Sequence, residues 1–302
     1  MEILTATTGL CIGINRAYRG MNERALKDGP FTATHQNSGM EYDTLRRIER
    51  RDPELLDRYP GLEKVSVKYD IEALSEGEHL VLGFHGLPSD AKDRLAERGV
   101  NLLDDLICPF IAKLDRVVER HVLAGFDIAI VGTKNNHHCP TASKIAAEHG
   151  RRCHVIERAE EIESLKLVEG QQVVLVGQVT GNTETFREVI ARIEKSAMPI
   201  KIIKTMCSDS YSRQEVAVDL AAKADVVILV DDAGDGAQSV FEVCSRVNGR
   251  VYRVSSKEEI RTEWLDGVKR LAIVGGILVP EWTIHDVARH VRLICAAPVA
   301  AE

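Results

Sequence analysis

Short apolar runs that end in glycine or aspartate recur along the chain: HLVLGFHG, DIAIVGTKN, QVVLVGQVTGN, DVVILVDDAGDG and RLAIVGGILVP. Unbroken Val/Ile/Leu runs of this length read as strands buried on both faces. Between them lie helical patterns such as ASKIAAEHG, TETFREVIARIEKS and SVFEVCSRVNG, two of them closed by a glycine. Alternation of the two patterns predicts an α/β protein with parallel sheets and covering helices. In such folds ligands sit at the carboxyl ends of the strands.

Cysteine spacing refines this picture. Cys11, Cys108 and Cys207 lie 97 and 99 residues apart, each where a strand-like run gives way to a helix-like one. Such a repeat predicts three pseudo-symmetric α/β domains, a trefoil, over 1–107, 108–206 and 207–302. Packed around an axis, they would aim three thiols at one point, a tripod for a metal cluster. Four thiolates are the norm for [4Fe–4S] clusters. Three leave one iron open, much as a catalytic zinc keeps an open position.

The other cysteines lack that setting. Cys244 and Cys295 fall in apolar helical patterns and are expected in the core. His137, His138 and Cys139 with Cys153 and His154 lack the paired spacing of a zinc site. The charged, twice proline-punctuated stretch from Arg46 to Asp70 is expected to be a solvent-facing excursion.

Composition narrows the function class. The 302 residues are 44% hydrophobic and 28% charged, with a net charge of −7, so no basic field favours nucleic acid or an anionic membrane. No run of about 18 apolar residues suggests a spanning helix. No basic-then-apolar leader is visible, and seven widely spaced cysteines suit reduced thiols in the cytoplasm.

Several motifs carry a resemblance. Gly9-Leu10-Cys11-Ile12-Gly13, His85-Gly86, Cys108-Pro109 and Cys207 with Arg213-Gln214-Glu215 stand in order along the chain. Glu263-Trp264 and Pro280-Glu281-Trp282 follow. Together they resemble the LytB family, reductases of 4-hydroxy-3-methylbut-2-enyl diphosphate in isoprenoid biosynthesis. The resemblance implies a three-domain fold around a [4Fe–4S] cluster held by Cys11, Cys108 and Cys207. It also implies loss of an allylic hydroxyl at the open iron, with electrons from a ferredoxin or flavodoxin.

Departures from the family pattern cluster at the substrate site. The family's Ser-x-Asn diphosphate loop reads Asp235-Gly236-Ala237 here, and a second serine becomes Leu278. A hydrogen bond to a charged group contributes roughly 1.5–3 kcal/mol. Three lost bonds would cost about 5–9 kcal/mol, or roughly 10³- to 10⁶-fold in affinity. Asp231, Asp232 and Asp235 would repel a diphosphate as well. The family's His-Pro-Glu-Val segment appears as NNHHCPT without its glutamate, leaving His137 or His138 to deliver a proton. His35 and His85 are the other expected catalytic histidines. Asn37, Thr180, Ser210 and Asp235 are the expected substrate contacts.

These departures favour reductive deoxygenation, or a related elimination, of a small substrate without a diphosphate. The first alternative is the diphosphate reductase itself. The second is a non-catalytic cluster or zinc protein.

Overall fold

The computed structural model describes residues 1–6, 9–34, 45, 47–68, 70–82, 89–103, 105–136, 138–165, 167, 170–231 and 235–296. The chain divides into two compact units. One comprises Met1–Cys11, Thr180–Arg187 and Cys207–Glu302, and the other Ile12–Val179 and Glu188–Met206.

Twelve described strands form three parallel four-stranded sheets. In the larger unit, β2 (Phe31–Thr34), β3 (Val65–Lys68), β4 (His79–Leu82) and β5 (Asn101–Leu103) pair in the order β3-β2-β4-β5. Next, β6 (Asp127–Val131), β7 (Cys153–Ile156), β8 (Val173–Gly177) and β9 (Ile200–Ile202) pair as β7-β6-β8-β9. In the other unit, β10 (Val226–Val230), β11 (Val251–Val254) and β12 (Arg270–Gly275) take up the N-terminal strand β1 (Glu2–Thr5), giving β11-β10-β12-β1. All three sheets follow one path, and in the third the fourth strand comes from the start of the chain. Register pairs Glu2 with Arg270 and Thr5 with Ile273.

Helices connect the strands: α1 (Ile12–Asp28), α2 (Pro53–Arg58), α3 (Ser89–Glu97), α4 (Pro109–Leu123), α5 (His138–Glu148), α6 (Thr183–Lys195), α7 (Ser208–Lys223), α8 (Asp235–Ser245) and α9 (Glu281–Ala296). The apolar runs behave as expected of strands covered on both faces. Every residue of β6, β8 and β10 is buried. One face of the third sheet packs Leu271 and Ile273 against Ile284, Val287 and Val291 of α9. Its other face packs Val227, Leu229 and Ala272 against Ala217 and Ala221 of α7 and Val240 and Cys244 of α8. Cys244 is thus a core residue, whereas Cys295 is exposed at the end of α9, contrary to expectation. A helical apolar pattern marks a face, and Cys295 stands off it.

The stretch from Arg46 to Asp70 is likewise not a solvent-facing excursion. Ile48, Leu55 and Leu62 are fully buried, and β3 is an integral edge strand. Its two prolines start structure instead of breaking it. Pro53 opens α2 behind the Asp52 cap, and Pro60 opens a 3-10 turn. The charges occupy the outer positions, with Arg51 donating to the carbonyls of Leu62 and Glu63.

Candidate active site

Each of the three spaced cysteines follows the fourth strand of a sheet and stands immediately before a helix. Cys11 lies between β1 and α1, Cys108 between β5 and α4, Cys207 between β9 and α7. Cys108 and Cys207 are the N-cap residues of their helices, and Pro109 at the first helical position suits that start. None of the three is in a disulfide, and Cys108 and Cys207 are buried and Cys11 partly so. Burial pushes the Cys108 thiol up, opposed by the backbone N–H groups of Ile111 and Phe110 and by the Arg16 charge. A helix start, with its N–H groups turned toward the sulfur, favours the anionic form that binds metal.

Three reduced thiols in equivalent backbone frames fit an iron–sulfur cluster in donor type. Among the described residues no group of three or more His, Cys, Asp or Glu stands in a metal-binding arrangement.

In the smaller unit the Cys11 and Cys207 segments are joined by buried polar side chains. Arg213, 4% exposed, donates from Nη1 to the Gly9 carbonyl at 2.7 Å and from Nε to Asp209 Oδ2 at 3.2 Å. The Cys11 N–H donates to the carbonyl of Ile277. Next along α7, Gln214 accepts at Oε1 from the N–H and hydroxyl of Thr183, both at 3.0 Å. Its Nε2 donates to the Gly181 carbonyl at 2.9 Å. Asn182 caps α6, accepting from Glu184 and Thr185, and donates to Glu242 of α8. Ser239 of α8 donates to the carbonyl of Thr180. The turn 180–182 and the start of α6 are thus held from two helices. Arg187 pairs with Glu215 at 3.0 Å. The three residues of the Arg213-Gln214-Glu215 motif therefore clasp two separate segments, the Gly9 turn and the start of α6.

The larger unit supplies a second set. Gln178 is buried, and its Oε1 accepts from the Thr133 N–H at 2.8 Å and from the Cys139 thiol at 3.9 Å. His138 is buried at the first position of α5, its N–H accepted by Asn136 Oδ1 at 2.9 Å. Thr205, two residues before Cys207, accepts from the Gly177 N–H and donates to the Gly177 carbonyl. A groove of about 890 Å³ runs beside α1. Arg16, Arg19, Arg24, Lys27 and Arg58 line it against only Glu23, Asp28 and Asp105. Arg24 spends Nη2 on both Asp105 oxygens, while its buried Nη1 has no acceptor among the described residues.

Of the expected site residues, Thr180 and Ser210 are buried in the smaller unit, the Ser210 hydroxyl accepting from Gln214 at 3.4 Å. Asp235 is the first residue of α8. His35, Asn37, His85 and His137 lie outside the described residues. The expected repulsion is reduced at one position: Asp231 is paired with Arg253, at 2.6 Å to Nη2 and 3.0 Å to Nε. Asp232 is outside the described residues, and Leu278 is a fully buried core residue. Reading the sequence did not find Asn182, Gln214 or Thr205 as site-building residues. A glycine-asparagine step before a helical pattern is an N-cap signal that identifies Asn182; Gln214 stands in the Arg213-Gln214-Glu215 motif, while Thr205 has no local signature.

The LytB protein family profile matches residues 3–292. A 4-hydroxy-3-methylbut-2-enyl diphosphate reductase of Aquifex aeolicus is 29% identical over 303 residues, covering 99% of each chain. One of the same name from Geobacter sulfurreducens is 27% identical, covering 97% of each. Among solved structures, an (E)-4-hydroxy-3-methyl-but-2-enyl diphosphate reductase superposes with a TM-score of 0.57 at 25% identity, over 97% of this chain and all of that one. An E-1-hydroxy-2-methyl-but-2-enyl-4-diphosphate reductase from Plasmodium falciparum shares the fold at a TM-score of 0.78 and 16% identity, over all of this chain and 93% of that one.

Proposed function

The chain belongs to the LytB family, and on that premise we propose that it reductively removes the allylic hydroxyl of 4-hydroxy-3-methylbut-2-enyl diphosphate. The observation that carries this reading is the threefold placement of a reduced cysteine after the fourth strand of each sheet, in a chain matched end to end by reductases of that name. Of the substrates the sequence allowed, the diphosphate is better supported than one without it. The Arg253 partner of Asp231 also removes one of the charges counted against it.

Cys11, Cys108 and Cys207 would hold a [4Fe–4S] cluster. Such a group, when bound, supplies single electrons and Lewis acidity. The overall change breaks one C–O bond, consumes two electrons and two protons, and releases water. The chain's own residues would bind and orient the substrate and deliver the protons. The His138 imidazole N–H is the proposed proton donor among the described residues, with His35, His85 and His137 as further candidates. Thr180 and Ser210 offer hydroxyls for the diphosphate or the leaving oxygen, in a loop and helix that Gln214 holds rigid. Asn37 and Asp235 complete the proposed contacts.

The proposed electron donor is a small acidic carrier of ferredoxin or flavodoxin type. The five cations of the groove beside α1 support this, since charge complementarity chiefly raises the association rate.

The test is an anaerobic assay of iron-loaded protein with the diphosphate substrate and a reduced viologen dye. Turnover supports the reading. Absence of turnover from protein with a verified cluster would overturn it and favour a substrate lacking a diphosphate.

A further inference from the structure

We propose that Arg213 is a positioning residue that ties the Cys11 loop to the Cys207 helix through one buried guanidinium. The inference rests on the cysteine-ligand reading above. Gly9, two residues before Cys11, adopts φ +61°, a left-handed conformation that glycine takes without strain. This turn directs the Gly9 carbonyl to Arg213 Nη1 at 2.7 Å. The same guanidinium pairs through Nε with Asp209, which sits in the first turn of α7 behind Cys207. Gly9 and Arg213 are 204 residues apart in sequence, so nothing local brings them together. Arg213 is 4% exposed and Asp209 is also largely covered.

A buried charge is costly unless paired and hydrogen-bonded. Here both conditions are met by groups that belong to the two cysteine segments. An arginine suits this role and a lysine does not. The planar fork donates in two fixed directions at once, whereas an ammonium is a point charge on a flexible stem. Arg213 thus fixes where the Cys11 backbone lies relative to Cys207.

The experiment compares wild type with Arg213→Lys, Arg213→Ala and Gly9→Ala. Two measurements are made on full-length protein: amide hydrogen exchange, and the rate at which a chelator strips iron from anaerobically loaded protein. Exchange is expected to rise at least about tenfold in residues 9–14, equivalent to ~1.4 kcal/mol. Residues 127–131 and 173–177 are expected to be unchanged. Iron stripping should accelerate, and the visible spectrum of the bound iron should change, in Arg213→Lys as well as Arg213→Ala.

Unchanged exchange at 9–14 in both Arg213 variants would overturn the proposal. So would a rise spread evenly over all segments of the folded Arg213→Lys protein, which would mark a general loss of stability. Faster exchange at 9–14 with unaltered iron stripping and spectrum would also overturn it. Should wild type bind no iron, the cluster reading fails by itself. The exchange result then decides the tie alone.

Discussion

Replacing Gln214 with leucine tests how the turn 180–182 and the start of α6 are held. Gln214 is 1% exposed, and its amide is the hydrogen-bond partner of the Thr183 N–H, the Thr183 hydroxyl and the Gly181 carbonyl. Leucine has a similar volume, so the change opens no sizeable cavity and isolates the polar effect. It strands one backbone donor and one backbone acceptor. A buried polar group left without a partner costs ~1–3 kcal/mol. The hydroxyl can rotate toward another acceptor and is left out of the sum. Two stranded groups therefore give a loss of about 2–6 kcal/mol. Against a typical total stability of about 5–15 kcal/mol, that is a large fraction. At roughly 2 °C per kcal/mol for a chain of this size, the melting temperature should fall by about 4–12 °C. Thermal unfolding followed by circular dichroism reads the shift. Gln214→Glu should also destabilise, since its second oxygen faces the Gly181 carbonyl where an N–H now donates. A drop below about 2 °C for Gln214→Leu would refute the reasoning and mean that water or backbone adjustment satisfies the loop.

Other expected outcomes follow from the same structure. Gly132→Ala would place a methyl 2.4 Å from Gln178 Oε1 and 2.7 Å from its Cβ. Displacing that side chain also breaks its bond from Thr133, so a loss of about 1–3 kcal/mol is expected in denaturant unfolding. Burial raises the Asp115 carboxyl from 3.8 to about 6, against the Lys92 charge and with Glu119 adding to the rise. The folded state then holds a proton that the unfolded state has lost, so stability falls as pH rises from about 4 through 6. Asp115→Asn should match wild type near pH 3.5 and exceed it above pH 6.5 by up to ~3 kcal/mol, read from unfolding curves across pH. Serine at Cys11, Cys108 or Cys207 should each lower iron bound after anaerobic loading, while Cys139→Ser and Cys244→Ser should not; elemental analysis separates the two sets.

Much of the architecture was legible in the chain because its signals are local. A run such as VVLVG can be buried on both faces only in a covered parallel sheet, and all five of its residues are buried in β8. A cysteine between a strand pattern and a helix pattern has its backbone setting defined by its neighbours. That is why the start-of-helix placement of Cys11, Cys108 and Cys207 could be read in advance. The Arg46–Asp70 stretch was misread for the complementary reason. Counting charges and prolines does not reveal that Leu55 and Leu62 are fully buried, or that a proline can begin a helix or a turn.

What the sequence determined by itself, then, is the alternation of strands and helices, the family, and the threefold recurrence of a thiol at one structural point. Tertiary structure alone decided the partners. A strand of four residues carries no mark of its neighbour, and only the fold pairs β1 with β12, 268 positions apart at Glu2 and Arg270. The charge on Asp231 could be counted from the sequence, but its neutralisation by Arg253 on the adjacent strand could not. The same holds for Arg213 and Gly9 and for Gln214 and Thr183. Hydrogen bonds between distant segments depend on distances of a few tenths of an ångström, which only the packed chain defines.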